Sequence, residues 1–477
     1  MSVPSFAFLG YVALVGALLA VVRGARARTV VTVLANLGFI ATMLATPATV
    51  VPFAIFVAAG FIAMRAGLRV RSRWFLPVVL SAAVLALFWL KRYPIFPGAL
   101  TLRGDAFTVG ASYVFFRIAH LIIDAGQESL EAPPSLLEYL AYTLDFTALV
   151  SGPIQLWQDY RKRTAPQPFP RGDEAWTALG RIVLGLFKVG VVSPILLDAH
   201  QRAIEALGAS AGQPRGIIAA AAVAGIYPLA LYANFSGYTD FVIGCARFVG
   251  HGLPENFNHP FVATGFIEFW SRWHMSLSSW LRRYVYTPSM LAAMRANPSP
   301  QLEPWYGVGA YLLTFSLVGV WHGPTSSFLF FGLLQGTGVA ANKAFQNVMI
   351  SRLGRRRWND VAGNERVAAL SRGLTYTWFA FTLLWFWSSW SSLGQLGGGL
   401  GWAQILAALA ALFAVAVVTI AAVRALTRAG AELAAFASNY VDLRLVRASY
   451  FAALGLAVVS VAVMLDAPAP QIIYRAF

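Results

Sequence analysis

Two neighbouring segments, FIEFWSRWHMSLSSWLRRYVYTP at 266–288 and LLTFSLVGVWHGPTSSFLFFGLLQG at 312–336, decide how this chain is read. In the first, Phe266, Phe269/Trp270, Trp273, Leu277, Trp280/Leu281 and Tyr284 recur at three-to-four spacing. That spacing predicts one amphipathic helix with an aromatic stripe. Glu268 and Arg272 are one turn apart and placed to pair, and His274 lies at the edge of the stripe. Arg272, Arg282 and Arg283 argue against a plain transmembrane helix. The segment is expected to lie at an interface, or to dip into the membrane and return, with Trp and Tyr at headgroup level. The second segment reads as two short apolar helices, 305–321 and 327–341, joined at His322-Gly323-Pro324, a helix stop. Two histidines in such apolar, Trp-rich surroundings require a reason.

Composition sets the frame. The 477 residues are 58% hydrophobic and 12% charged, with a mean hydropathy of +0.64. Soluble domains carry about twice that charged fraction, so the chain reads as a polytopic membrane protein. Its net charge of +16 does not indicate a nucleic-acid partner, because Lys and Arg fall in short clusters between apolar runs, as topology signals do. The lone cysteine, Cys245, sits in an apolar segment. It has no second thiol to pair with, no nearby ligand cluster suggests a metal site, and it is expected to be buried and inert. No basic residues precede the first apolar run, so no cleavable signal pattern is expected.

In chain order, apolar runs at 6–22, 29–44, 50–64 and 74–90 alternate with basic clusters: Arg23, Arg26 and Arg28, then Arg65, Arg69, Arg71 and Arg73. With both clusters cytoplasmic, the N-terminus is extracytoplasmic. Segment 107–123 carries Arg117, His120 and Asp124 on one helical face, the pattern of a structural polar network inside a bundle. Segment 136–150 is a less certain span. Segment 176–197 encloses Arg181 and Lys188. Linker 198–215 contains a formal G-x-S-x-G at 208–212, without the strand–turn–helix setting of a nucleophile elbow. Segment 217–231 runs into 232–250, where Asn234, Ser236, Gly237, Thr239 and Asp240 interrupt the apolar pattern; such a break is tolerated only inside protein or beside a cavity. PENFNHPF at 254–261 reads as a turn-rich linker, and His251 and His259, assigned to this loop, are expected to be solvated. Arg352, Arg355, Arg356 and Arg357 mark a further cytoplasmic loop, followed by spans at 374–390, 402–423 and 450–465. The expected fold is all-α, a polytopic bundle of about 11 to 13 spans, some short or re-entrant. It reads as one membrane-embedded domain over 1–477, with N-terminal spans in 1–105, a motif-bearing core in 231–336 and C-terminal spans in 373–477.

The run LYANFSGYTDFVIGCARFVGHGLPENFNHPF (231–261), the segment FIEFWSRWHMSLSSWLRRYVYTP and the later VGVWHGPTSSFLFFGLLQG (318–336) resemble the membrane-bound O-acyltransferase family. The similarity is to its bacterial branch of alginate O-acetyltransferases and teichoic acid D-alanyltransferases. SGPI at 151–154, LGLFKVG at 184–190 and the terminal IIYRAF are weaker echoes. The resemblance implies that His322 is the catalytic histidine, that His274 is its companion, and that both lie along a central funnel through the membrane. There are two departures from the family pattern. Asn234 stands where an acidic residue usually precedes FSGY, and Phe386-Trp387-Ser388-Ser389 replaces an FFR-type ending.

Acyl transfer from a thioester to a hydroxyl requires a base, an oxyanion environment and exclusion of water. Histidine suits the first task because its ordinary pKa of about 6.5 lies near working pH. The expected roles are His322 as base and His274 as a positioning residue, with Asn234, Ser236, Tyr238, Asp240, Trp273 and Trp321 lining the cavity. No metal site and no bound cofactor are expected. The donor is acetyl-CoA or an acyl carrier protein on the cytoplasmic side, and the acceptor a glycan or a periplasmic acyl-accepting partner protein. The expected setting is the bacterial inner membrane, and the expected reaction is acetylation of an extracytoplasmic polysaccharide. The alternatives are D-alanyl transfer to teichoic acid and, from another class, a polysaccharide transporter without chemistry.

Overall fold

The computed structural model describes residues 1–102, 107–164, 169–210, 213–437 and 443–465. Among them every extended element is absent except one isolated bridge between Phe257 and Trp273, and the fold is all-α. Among the described residues, four helical segments are long and apolar enough to cross a membrane: Pro47–Gly67, Asp173–Ala209, Pro214–Phe248 and Trp402–Leu433. Phe6–Val21, Phe75–Leu90 and Val446–Ser460 are shorter apolar helices. The chain divides into two compact units. Met1–Val189 and Phe235–Glu255 belong to the first, Gly190–Asn234 and Asn256–Val461 to the second.

The first unit is built around the helix Ala111–Gly126, buried from Ala111 to Ala125. Burying Arg117 inside it demands partners. Its guanidinium donates to the carbonyls of Thr143 and Ala148 at 3.1 and 2.8 Å. His120 Nε2 accepts from the Trp157 backbone N–H at 3.0 Å, and Asp124 accepts from Gln158 at 2.8 Å. The shared face read from the sequence is therefore a polar network that pins the loop after the helix Leu136–Thr143. That helix has only eight residues and cannot span, contrary to the expectation for 136–150. It ends early because Asp145 and Thr147 turn inward and bind each other at 2.7 Å. Phe8, Tyr11, Phe39 and Phe146 pack ring to ring nearby, 5.4–6.1 Å apart.

His251 corrects another expectation. Instead of being solvated, it is buried, 3.2 Å from the Asp145 carboxylate and 3.1 Å from Thr147 Oγ1. Burial alone would raise the pKa of Asp145; the His251 ring beside it, with Arg117 and Thr147, outweighs that and holds it down at about 2. Arg181 and Lys188 are likewise consumed in ion pairs, meeting Asp240 at 2.9 and 2.7 Å, while Arg181 also pairs with Glu255. Cys245 is free and buried.

In the second unit, the helices Glu303–His322 and Ser326–Leu353 form the tightest pair. Gly319 and Gly332 let their backbones touch: a Cβ on Gly332 would stand 2.6 Å from the Gly319 Cα. Small residues at a membrane helix crossing serve this close approach. The helix Glu365–Thr382 packs on Trp402–Ala437, with Tyr376, Ala380, Leu412 and Ala416 in contact and the Tyr376 hydroxyl bound to the Gly225 carbonyl at 2.5 Å. Two further expectations are corrected. The interrupted stretch 232–250 is part of one continuous helix, Pro214–Phe248, whose buried Thr239 bonds its hydroxyl back to the Phe235 carbonyl. The linker 198–215 is helical to Ala209; Gly208 and Ser210 of the G-x-S-x-G fall at that helix end, and Ala211 and Gly212 lie outside the described residues. The terminal IIYRAF also lies outside them.

Candidate active site

The segment 266–288 is not one helix. It folds as Phe266–Arg272 and Met275–Leu281, then a π-helical turn, Arg282–Tyr286, and a further helix, Thr287–Ala296. The break falls at His274, whose φ of 46° is in the left-handed region that non-glycine residues seldom occupy. Trp273 forms the bridge to Phe257 and packs against Phe269, Phe257 and Phe379 at 5.0–5.6 Å. Holding Trp273 extended there makes the chain double back at the next residue. Such strain persists only where the surroundings fix it, and it marks functional segments. Glu268 and Arg272 pair as expected, at 2.8 Å.

Doubling back buries His274 to 1% exposure. Its Nδ1 lies 3.2 Å from Asn256 Oδ1, which also accepts from the Ser276 backbone N–H at 3.1 Å and from Ser276 Oγ at 2.8 Å. The backbone donor fixes which Asn256 atom is oxygen, so the imidazole carries its proton on Nδ1 and its lone pair on Nε2. Burial pushes the His274 pKa down to about 3, so the ring is neutral at working pH. Asn256 was missed from sequence. The only available signal was a polar residue in the Pro-rich loop before the aromatic stripe.

His322 is the last residue of its helix, 4% exposed, and Gly323 continues extended. The helix stop predicted at Gly323-Pro324 is where the sequence placed it. Trp321, Phe331 and Phe386 pack on the imidazole at 4.6, 5.6 and 5.1 Å. His322 thus sits at the negative end of its helix dipole. Between the segments of the two histidines runs a buried relay. Trp270 Nε1 donates to Gln335 at 3.3 Å, and Gln335 donates to Thr382 Oγ1 at 2.7 Å. Gln335 lies one turn from Phe331, and Trp270 is four residues before His274, across the helix break.

Of the other candidate cavity residues, Trp273, Trp321 and Asn234 are buried in the same unit as the histidines. Ser236, Tyr238 and Asp240 belong to the first unit. There the Tyr238 hydroxyl accepts from the Ser151 N–H at 3.1 Å, Asp240 is held by Arg181 and Lys188, and Ser236 Oγ is buried with no hydrogen-bond partner among the described residues. A cavity of about 430 Å³ in the second unit is bordered by Phe266, Asn342, Trp358 and Trp378; neither histidine lines it. Among the described residues no three His, Cys, Asp or Glu side chains are grouped as a metal would require.

Both histidines fall within residues 124–386, which match the model of the membrane-bound O-acyltransferase family over more than half of the chain. The chain belongs to this family. Its curated relatives in the family include a teichoic acid D-alanyltransferase of Streptococcus thermophilus, 28% identical over 57% of this chain and 65% of that protein. A probable alginate O-acetylase of Azotobacter vinelandii is 28% identical over 59% of this chain and 56% of that protein. A peptidoglycan O-acetyltransferase of Helicobacter pylori is 29% identical over 44% and 38%. The chain thus spans less than two thirds of the length of these relatives.

Proposed function

We propose that this membrane-bound O-acyltransferase family member moves an acyl group, acetyl as the first choice, from a cytoplasmic thioester to a hydroxyl of an extracytoplasmic polysaccharide. The observation that carries the reading is His322: a buried imidazole at a helix C-terminus, walled by aromatic rings, within the region that matches the family model. In this reading His322 takes the proton of the acceptor hydroxyl as its oxygen attacks the thioester carbonyl. A C–O bond forms, the C–S bond breaks, and the imidazolium returns the proton to the leaving thiolate. The base contributes about 10²–10⁴-fold, and the apolar walls keep water from competing. An acyl-enzyme route has no support, since Cys245 is buried in an apolar helix. His274, neutral and oriented by Asn256, is a positioning residue for donor or acceptor along a shared funnel.

The membrane setting proposed is the bacterial inner membrane with the N-terminus outside. Partners are a coenzyme A or carrier-protein donor and a glycan or acyl-accepting protein. A second reading, D-alanyl transfer, is favoured by one observation: the matched D-alanyltransferase and alginate O-acetylase are equally identical to this chain. His322→Ala and His322→Gln in cells, followed by measurement of the acyl content of surface polymer and of membrane protein level, test the core of the proposal. Exported, under-acylated polymer is expected. Near-normal acylation sinks the assignment of His322, and loss of export itself points to a transporter. Mass spectrometry of the polymer from a deletion strain separates acetyl from D-alanyl.

A further inference from the structure

The stretch where this chain departs from the family pattern, Phe386-Trp387-Ser388-Ser389, packs against another buried imidazole. His200, on the helix Ser193–Ala209, is 6% exposed. Its ring lies edge-on to Trp387, with centroids 4.8 Å apart, and 5.4 Å from Tyr227; Tyr227 and Trp387 are 5.7 Å apart. Ala203, Leu207, Ala219 and Val223 back this corner. His200 Nε2 is buried with no hydrogen-bond partner among the described residues, and so are Trp387 Nε1 and Ser388 Oγ.

The chemistry of these groups narrows what fits. A neutral imidazole carries a lone pair on one nitrogen, here assigned to Nε2, and an indole N–H can only donate. Buried polar atoms are nearly always satisfied, so an open acceptor beside an open donor calls for a ligand. A group that both donates and accepts matches the pair, and a hydroxyl does so. A carboxylate would face the Nε2 lone pair with no cation beside it. A thioester has no proton to give Nε2. The faces of Tyr227 and Trp387 suit the C–H surface of a sugar ring, which is amphipathic in the same way.

We propose that His200 and Trp387 bind one hydroxyl of a sugar in the acceptor, Nε2 accepting from it and the indole N–H donating to it. This rests on the acyl-transfer reading and assigns its acceptor side. The next residue back along the chain from Trp387, Phe386, packs edge-on to His322 at 5.1 Å. The sugar site therefore adjoins the wall of the proposed base. His200 selects and holds the acceptor rather than removing its proton.

Membranes carrying the full chain test this, with wild type, H200A, H200Q, W387F and H322A supplied with chemically de-acylated surface polymer. Acetyl-CoA serves as donor in one arm and D-alanyl-loaded carrier protein in the other. The expected result is a polymer KM raised about fivefold to tenfold in H200A and W387F, the effect of one neutral hydrogen bond, with the donor KM unchanged. H200Q keeps an acceptor oxygen and recovers part of the loss. An unchanged polymer KM in both variants assigns the corner to a buried water and overturns the proposal. A fall in kcat alone overturns it too, by placing His200 in the chemistry. If H200A does not accumulate in membranes, H200Q and W387F, which keep the packing, decide. Wild-type transfer by H322A is a separate failure, of the parent reading, and leaves the polymer KM of the other variants interpretable.

Discussion

His322 and His274 are both buried imidazoles in different surroundings. His322 ends a helix, at the negative end of the backbone dipole. His274 is locked neutral by burial, and its Nδ1 proton is committed to Asn256. Removing the Asn256 side chain leaves the His274 N–H, the Ser276 N–H and the Ser276 hydroxyl without their common acceptor. Each such loss costs about 1–3 kcal/mol. Asn256→Ala is thus expected to lower the melting temperature in detergent and to reduce acyl transfer even where protein level recovers; an unaffected melt would contradict the Asn256 geometry. The lowered pKa of His274 also has a sign. Between about pH 3 and the ordinary value near 6.5, the unfolded chain binds a proton that the folded chain excludes. Stability contributed by the neutral ring is therefore lost as pH falls through that window. His274→Gln, which cannot titrate, is expected to flatten the pH dependence of the melt between pH 6.5 and 4.

At the scale of elements, the position of His322 depends on how closely its helix meets the next one. A Cβ at Gly332 would stand 2.5 Å from the Phe315 carbonyl oxygen and 2.6 Å from the Gly319 Cα, contacts that only a shift of backbone can relieve. Gly332→Val is expected to part the two helices and to cost most of the acyl-transfer activity, roughly tenfold or more, because sub-ångström to ångström displacements of a catalytic group carry factors of that size. Gly309→Ala on the helix of His322, where a Cβ meets nothing within 4 Å, is the control. Equal activity of the two variants would remove the crossing from the account. In the first unit the comparable element is the loop after Leu136–Thr143, held by the Asp145–His251 contact. With its pKa held at about 2, the Asp145 carboxylate stabilises the fold above its ordinary value near 3.9. That contribution is lost as pH falls from there through about 2. Asp145→Asn is expected to lower the melt at pH 7 and to leave it unchanged, relative to wild type, at the acid end of that window.

For the whole molecule, the proposed orientation rests on the basic clusters, and Cys245 offers a native reporter of packing. Being buried in an apolar helix, it is expected to resist a membrane-permeant maleimide until the protein is unfolded. Single cysteines placed at Arg26 and at Arg356 in a Cys245→Ser background are expected to label only after the inner membrane is made permeable. Labelling of either from outside in intact cells would reverse the proposed orientation.

The sequence by itself determined the class of molecule and the family. Hydropathy, charge clustering and the two histidine motifs are local properties, and they were sufficient for an all-α membrane protein with His322 at a helix stop. What it could not determine depends on partners distant along the chain. The helix 266–288 was read as continuous because the aromatic spacing is helical. Its break at His274 is imposed by Phe257 and Asn256, which lie in a preceding loop. His251 looked solvated because its neighbours in sequence are turn-formers, and it is buried because Asp145 receives it. The stretch 232–250 looked broken because a polar residue in a helix is unfavourable until tertiary packing satisfies it. Periodicity records which residues share a face; only the fold decides what that face meets, and buried polar groups take their roles from that meeting.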